Sequence, residues 1–376
     1  MRQKSFCLHY HFTKINEVFF MKSKKQTAKL DILNGSIWNK IPLYALPVAA
    51  TGILEQLFNA SDIAIVGNFA STDRTVAIAA VGANSPVIGV ILNLFIGLSL
   101  GTNVVIANAI GRKDEHEVQK AVHTSVLAAF LAGILTTLLG EWLIGNFLNL
   151  LNVPADVFPY ALLYIRIYLL GLPVIFLFNF EAAIFRSTGD TRTPLLALFC
   201  GGVLNVLLNL FFVIVLGMNV NGVATATVIA NIVSSSILFI KLTKTEKWVH
   251  LDLHKLSIDR ACLLKILRIG LPAGIQSAVF AIANLFVQAG VNSFNTITVS
   301  GNAAATNADS LIFNVLYAFY TGCSSFMSQN YGARNKKRVL KSYFVCLFYS
   351  FFASVLLGVL LFVFGHQFLS LFATDT

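Results

Sequence analysis

The chain has 376 residues, 56% of them hydrophobic and only 12% charged. A soluble domain carries about 25% charged residues, so an ordinary water-soluble globule is excluded. The net charge of +10 would suit nucleic acid, but the basic residues sit in short segments between long apolar runs, which excludes that partner too.

The stretches 194–218 and 342–364 hold no charge, and each exceeds the roughly 20 residues that a spanning helix needs. Barrel strands would instead alternate over about ten residues. The expected fold class is therefore an all-α polytopic membrane protein in a lipid bilayer. Five cysteines are scattered, with neither metal-ligand nor disulfide spacing.

Residues 1–37 form a basic N-terminal segment without the apolar core of a secretory signal. Met21 opens a second candidate start, which makes residues 1–20 a candidate upstream extension. Nine spans are predicted, near 38–68, 76–110, 118–149, 157–185, 194–217, 220–242, 264–291, 303–331 and 340–369. With the N-terminus in the cytoplasm, the inside segments 1–40, 111–120, 186–193, 241–268 and 332–341 hold 25 of the 27 Lys and Arg. Such an imbalance orients membrane proteins.

The chain also repeats itself. "KIPLYALPVAATGILEQLFN" (40–59) aligns with "KILRIGLPAGIQSAVFAIAN" (265–284), so that Leu46-Pro47 meets Leu271-Pro272. Gly101, Gly111, Val118 and Lys120 then meet Gly322, Gly332, Val339 and Lys341. The first unit has six spans, an even number, so the second enters in the same orientation. Transporters built from parallel repeats place their substrate between the halves. The expected division is a six-helix bundle over 38–242, a charged cytoplasmic linker over 243–263 and a partial, three-helix second bundle over 264–376. A fragment, a truncated product and a natural short form all fit that second bundle.

Charges inside the membrane cost about 2.5–3.5 kcal/mol each on insertion scales, so each one calls for a reason. Glu55, Asn59 and Asp62 fall within about 60° of one another around the first helix. Asn205 and Asn209 form a second stripe, at i and i+4, on the fifth span. Asp62 and Asn209 come out at one depth, roughly 8–9 Å below the outer face. A carboxylate beside amide oxygens suits a proton or a hard monovalent cation. For the two asparagines, a hydrogen bond joining helices is the competing reading.

Glu141 and Arg166 read as a structural interhelical ion pair, and Glu181 as a partner of Arg186. Asp309 is expected to face the interior or a cavity. Pro47 is either a bending point or a static kink. Gly97 and Gly101 read as close helix packing. His250 and His254 lack a third metal ligand, and no phosphate loop or catalytic motif appears.

The stretches "LPVAATGILEQLFNASDIAIVG" (46–67), "IANAIGRKD" (106–114), "RSTGDTRTP" (186–194) and "NGVATAT" (221–227) together resemble the MATE family, the multidrug and toxic compound extrusion transporters, in a NorM/DinF-like bacterial form. The resemblance covers the chain from about Asp31 onward. It implies a twelve-helix fold of two six-helix bundles and antiport of H⁺ or Na⁺ against an organic, often cationic, small molecule. It also implies a bacterial plasma (inner) membrane location and a monomer without a bound cofactor. Asp62 matches the family's first-helix cation-binding acid, joined in one branch by residues matching Asn205, Asn209 and Thr227. That branch often has Asp at the position of Asn209, so this chain leaves more of the coupling to Asp62, with Glu55 as a candidate second acid. Val287 stands opposite Asp62 in the second unit, which confines the ion site to the first. The alternatives are a lipid-linked oligosaccharide flippase, which would want a cationic cavity, and an integral-membrane enzyme.

Overall fold

The computed structural model describes residues 30–69, 74–151, 153–245, 248–291, 294 and 296–369. Residues 1–20 lie outside that range. Ten α-helices run in order: α1 (Ile37–Phe69), α2 (Arg74–Arg112), α3 (Glu115–Leu150), α4 (Phe158–Leu170), α5 (Leu172–Ser187), α6 (Arg192–Leu210), α7 (Val220–Lys244), α8 (Arg260–Val291), α9 (Thr296–Gly332) and α10 (Lys336–Leu369).

Seven of the described helices are long and apolar enough to cross a bilayer, and α4 with α5 makes an eighth span if the pair is one broken crossing. The segment expected near 303–331 is helical as α9, but it is not apolar enough to count by composition. By composition, up to eight of the nine predicted crossings are met among the described residues, and the ninth segment is present as a helix.

Two predicted spans are irregular. The one expected over 157–185 breaks between α4 and α5 with a bend of 49°. Gly171 sits at the break and Pro173 follows it, removing an N–H from the ladder. Helix α3 packs closely against the break, where a Cβ on Gly133 would run into the backbone of Pro173. The span expected over 194–217 leaves the α form at Phe211–Val215, a π turn directly after α6. Pro42 and Pro47, by contrast, sit inside an unbroken α1.

Helices α1 to α7 pack as one bundle, with α3 on α5, α2 on α5, α6 on α7, α1 on α6 and α4 on α7. Its core divides into two apolar clusters. One is built around Tyr164, Phe176 and Val223. The other lies toward the end where the basic loops gather, around Val122, Phe185 and Leu238. Helix α8 lies along α2, while α9 packs on α2, α1 and α10. A third cluster joins Ile41, Tyr44 and Val48 of α1 to Ala318 and Phe326 of α9 and Val345 of α10.

The approach of α8 to α2 depends on glycine. A Cβ on Gly97 would strike the backbone of Gly274, and one on Gly101 would strike Ile266 and Gly270. The Gly97–Gly101 pair therefore meets the pair Gly270–Gly274, small residues against small residues.

The stretch predicted as a linker is not a free tether. Val249 and Leu251 are buried in the basic-end cluster. The Asp252 N–H donates to His123 Nε2 at 3.0 Å, and the opposite ring nitrogen lies 2.6 Å from Gln119 O, so Nδ1 donates there. The Asp259 N–H donates to Thr124 Oγ1 at 3.0 Å, and Lys120 Nζ lies 3.3 Å from the Asp259 carboxylate. Asp252 and Asp259 of this charged stretch thus fasten it to α3.

Candidate functional site

Three helices carry the main polar cluster. Asp62 on α1 is only 5% exposed. Its Oδ1 accepts from Asn209 Nδ2 at 2.5 Å and its Oδ2 from Thr227 Oγ1 at 3.1 Å. Asn209 Nδ2 also donates to Asn205 Oδ1 at 3.1 Å, and Asn205 Nδ2 donates to Thr227 Oγ1 at 3.2 Å. The structure thus brings together Asp62, Asn205, Asn209 and Thr227 in one ring of donors and acceptors. Asn209 Oδ1 is buried and has no partner among the described residues, although buried polar atoms are almost always satisfied.

Local sequence explains the closeness. Gly201 and Gly202 stand one turn below Asn205 on α6. A side chain on Gly201 would collide with Ser234 Oγ and Ala230 O of α7, and one on Gly202 with the ring of Phe58 on α1. Two adjacent glycines therefore let α1 and α7 close on α6 just beneath the polar ring.

A cavity of about 140 Å³ opens beside the ring and runs down the bundle. Asp62, Asn205 and Thr227 form part of its wall, with Asn231 and Ser234 of α7 and Asn179 of α5 farther along. Glu55 and Asn59 line the same cavity but are exposed. The stripe on α1 therefore splits into one buried acid and two polar residues open to the cavity. The wall carries two carboxylates and no Lys or Arg.

The remaining candidates lie apart. Glu141 Oε2 and Arg166 Nε are 3.4 Å apart. Pro47 is buried, and its carbonyl accepts from Thr51 Oγ1 at 2.8 Å. Asp309 and Val287 are exposed. Among the described residues no acid, cysteine and histidine group could hold a metal; His254 instead approaches Asp252 at 3.5 Å. The pairing of Glu181 with Arg186 is corrected. Glu181 is fully buried and its Oε2 accepts from Ser235 Oγ on α7 at 2.9 Å. Glu181 and Arg186 are five residues apart on α5, about 140° around the helix, so they leave it on different sides.

At the basic end the seam between the first seven helices and α9 is closed by hydrogen bonds. Tyr44 Oη lies 2.6 Å from Ser325 Oγ and donates to Arg186 O at 3.1 Å. Asn103 meets the same serine at 2.9 Å, and Gln329 Nε2 donates to Ser187 O at 2.6 Å.

Sequence reasoning missed Asn231, Ser234 and Ser235. The signal was available: with Thr227 they recur at i+4, i+7 and i+8, a polar stripe on an otherwise apolar α7. Tyr44, Asn103 and Ser325 carried no comparable pattern.

A family model described as MatE matches residues 47–211 and 272–376. "Probable multidrug resistance protein YoeA" of Bacillus subtilis (strain 168) is 27% identical over 349 residues, which is 90% of this chain and 74% of that protein. "Probable multidrug resistance protein NorM" of Thermotoga maritima is 27% identical over 347 residues, 88% of this chain and 71% of that protein. A solved structure, described as the outward-facing conformation of a multidrug resistance MATE family transporter of the MOP superfamily, is 25% identical. It superposes with a TM-score of 0.85 over 93% of this chain and 77% of that one.

Proposed function

The chain belongs to the MatE family, and from that premise we propose that it is a cation-coupled antiporter that exports organic, cationic small molecules across a bacterial plasma membrane by alternating access. Members of this family are transporters, not enzymes, and the relatives named above are multidrug resistance proteins. The basic end faces the cytoplasm, in keeping with the loop charges, and the chain acts as a monomer. Its units are the bundle 38–242 and the shorter set 264–376, joined by 243–263.

The observation that carries the reading is the Asp62 ring beside the cavity. Asp62, Asn205, Asn209 and Thr227 offer oxygen atoms of the kind a hard monovalent cation takes, and the unpartnered Asn209 Oδ1 is one that such a cation would satisfy. A proton on Asp62 would serve equally, removing the charge and turning one oxygen into a donor. Either ion changes which conformation is favoured, and by linkage the organic substrate then binds differently. Glu55 and Asn59, open to the cavity, meet the substrate, and Pro47 lets α1 bend. The flippase alternative draws no support from a cavity wall with two carboxylates and no cation.

The test is ethidium efflux from proteoliposomes under separately imposed pH and Na⁺ gradients. Asp62→Asn keeps the shape and removes the charge. It is expected to lower ion-driven efflux at least about tenfold, equivalent to about 1.4 kcal/mol in the barrier. Efflux that stays at the wild-type level under both gradients rejects the assignment, and the gradient that works identifies the ion.

A further inference from the structure

Glu181 has no place in the ion site just described, yet it is the more deeply buried acid. Its side chain is fully buried, on the helix that contributes Phe178, Ala182 and Phe185 to the basic-end apolar cluster. One oxygen takes a single hydrogen bond, from Ser235, and Oε1 has no partner among the described residues. An ionised carboxylate has about four acceptor sites to fill, and leaving a charge buried and unpaired costs several kcal/mol. A protonated carboxyl in the same place is neutral. A residue kept only for packing would be served at lower cost by an amide or an apolar side chain.

The surroundings supply no counter-charge. On the elements packed against α5, the titratable groups toward this end include Arg112 on α2, Glu117, Lys120 and His123 on α3, Arg192 and Cys200 on α6, Lys241 and Lys244 on α7 and Arg186 on α5 itself; α4, joined at the break, brings Tyr168. Arg112 is held by Glu117, His123 by Gln119 and Asp252, and Lys241 by Thr193 Oγ1. None of them bonds to Glu181, whose one hydrogen bond comes from Ser235.

What does approach is a polar track. The cavity that begins at Asp62 has Asn231 and Ser234 on its far wall. Ser235, next in sequence, holds Glu181. From Thr227, which touches Asp62, to Ser235 is eight residues of α7, about 12 Å. The stripe Thr227, Asn231 and Ser234–Ser235 thus leads from the first buried acid to the second.

We propose that Glu181 is a second proton-binding site, on the cytoplasmic side of Asp62, and that its proton takes part in the coupling of transport. This rests on the transport reading above. The step is one equilibrium, a carboxylate plus H⁺ giving a carboxylic acid, with the proton drawn from and returned to water. Two acids in series, joined by hydroxyl and amide groups, let the ion be handed between positions that face different sides as the units move.

The experiment has two readouts on the chain reconstituted in liposomes. Infrared difference spectroscopy reads the C=O stretch of protonated carboxyls. At neutral pH the wild type shows a band that Glu181→Gln lacks and that Ser235→Ala shifts; spectra without that difference overturn the proposal. Ethidium efflux driven by a pH gradient falls about tenfold in Glu181→Gln, a change of about 1.4 kcal/mol, while the thermal midpoint is kept, because glutamine fills the same space and still accepts from Ser235. Wild-type proton-driven efflux in Glu181→Gln overturns the coupling role. If the wild-type chain itself shows no proton-driven efflux, the transport reading has failed, and the infrared band alone decides whether Glu181 binds a proton.

Discussion

The turn between α2 and α3 and the turn between α9 and α10 are built alike and fastened differently. In the first, the Lys113 N–H donates to Ile110 O and the Asp114 N–H to Ala109 O, with Lys113 at φ 59°. In the second, the Arg334 N–H donates to Tyr331 O and the Asn335 N–H to Asn330 O, with Arg334 at φ 57°. Asp114 caps α3 through the Glu117 N–H, and Asn335 caps α10 through the Arg338 N–H. Even the glycines correspond, since a Cβ on Gly111 would strike Gln329 O and one on Gly332 would strike Asn108 O.

The residue three places after each cap breaks the likeness. Glu117 pairs with Arg112 and Lys265. Arg338, at the equivalent place, donates to Ile32 O, Gly35 O and Asn330 Oδ1 at 2.9–3.0 Å. The first turn is thus tied to Lys265, within the other unit's first helix, through ion pairs, and the second to the segment preceding α1 through neutral carbonyls. The comparison teaches that backbone geometry and glycine contacts set the architecture, while the fastening chemistry is free to change.

The likeness is best broken at its glycines. Gly111→Val and Gly332→Val each push a side chain into the opposing backbone and are expected to cost about 3 kcal/mol, read as loss of monodisperse protein in detergent. Equal losses would support the equivalence of the two turns, and a tolerated valine at either would refute it. The fastening comes next. Arg338→Ala strands three acceptors and is expected to cost about 2 kcal/mol in a denaturation midpoint. Arg338→Lys recovers only part, because an ammonium lacks the fork that spans separate carbonyls.

The smallest effect is a pH dependence at Asp259, just before α8, whose carboxylate pairs with Lys120 on α3. The Cys262 backbone N–H and the Lys120 ammonium hold the Asp259 carboxyl below its ordinary value. A lowered folded value means that the stabilisation is present above the unfolded value of about 3.9 and fades as pH falls through the folded one. Asp259→Ala should therefore melt below wild type at neutral pH, with the gap narrowing in acid. A gap independent of pH would remove the carboxylate from the explanation.

Much of this was legible in the sequence because depth and face follow from counting along a helix. Asp62 and Asn209 could be placed at one level, and they touch. Which neighbour a face meets does not follow from counting, and there the reading failed. Glu181 was given its neighbour in sequence and found Ser235 on another helix. The break at Gly171 had a local sign in Gly-Leu-Pro, but Pro47 and Pro86 show that proline alone does not stop a membrane helix; the close approach of Gly133 to Pro173 had no such sign. The stretch 243–263 read only as a charged linker, because Val249 and Leu251 acquire a burial site only once the neighbouring helices stand beside them.

That seated segment has a practical consequence. Two of its amide hydrogens are committed, Leu251 to the Leu242 carbonyl and Asp252 to the His123 ring. Lifting this segment off α3 releases the Asp252 amide, and lifting it off the end of α7 releases the Leu251 amide. They are natural clocks, whose deuterium uptake would count how often this strap lets go.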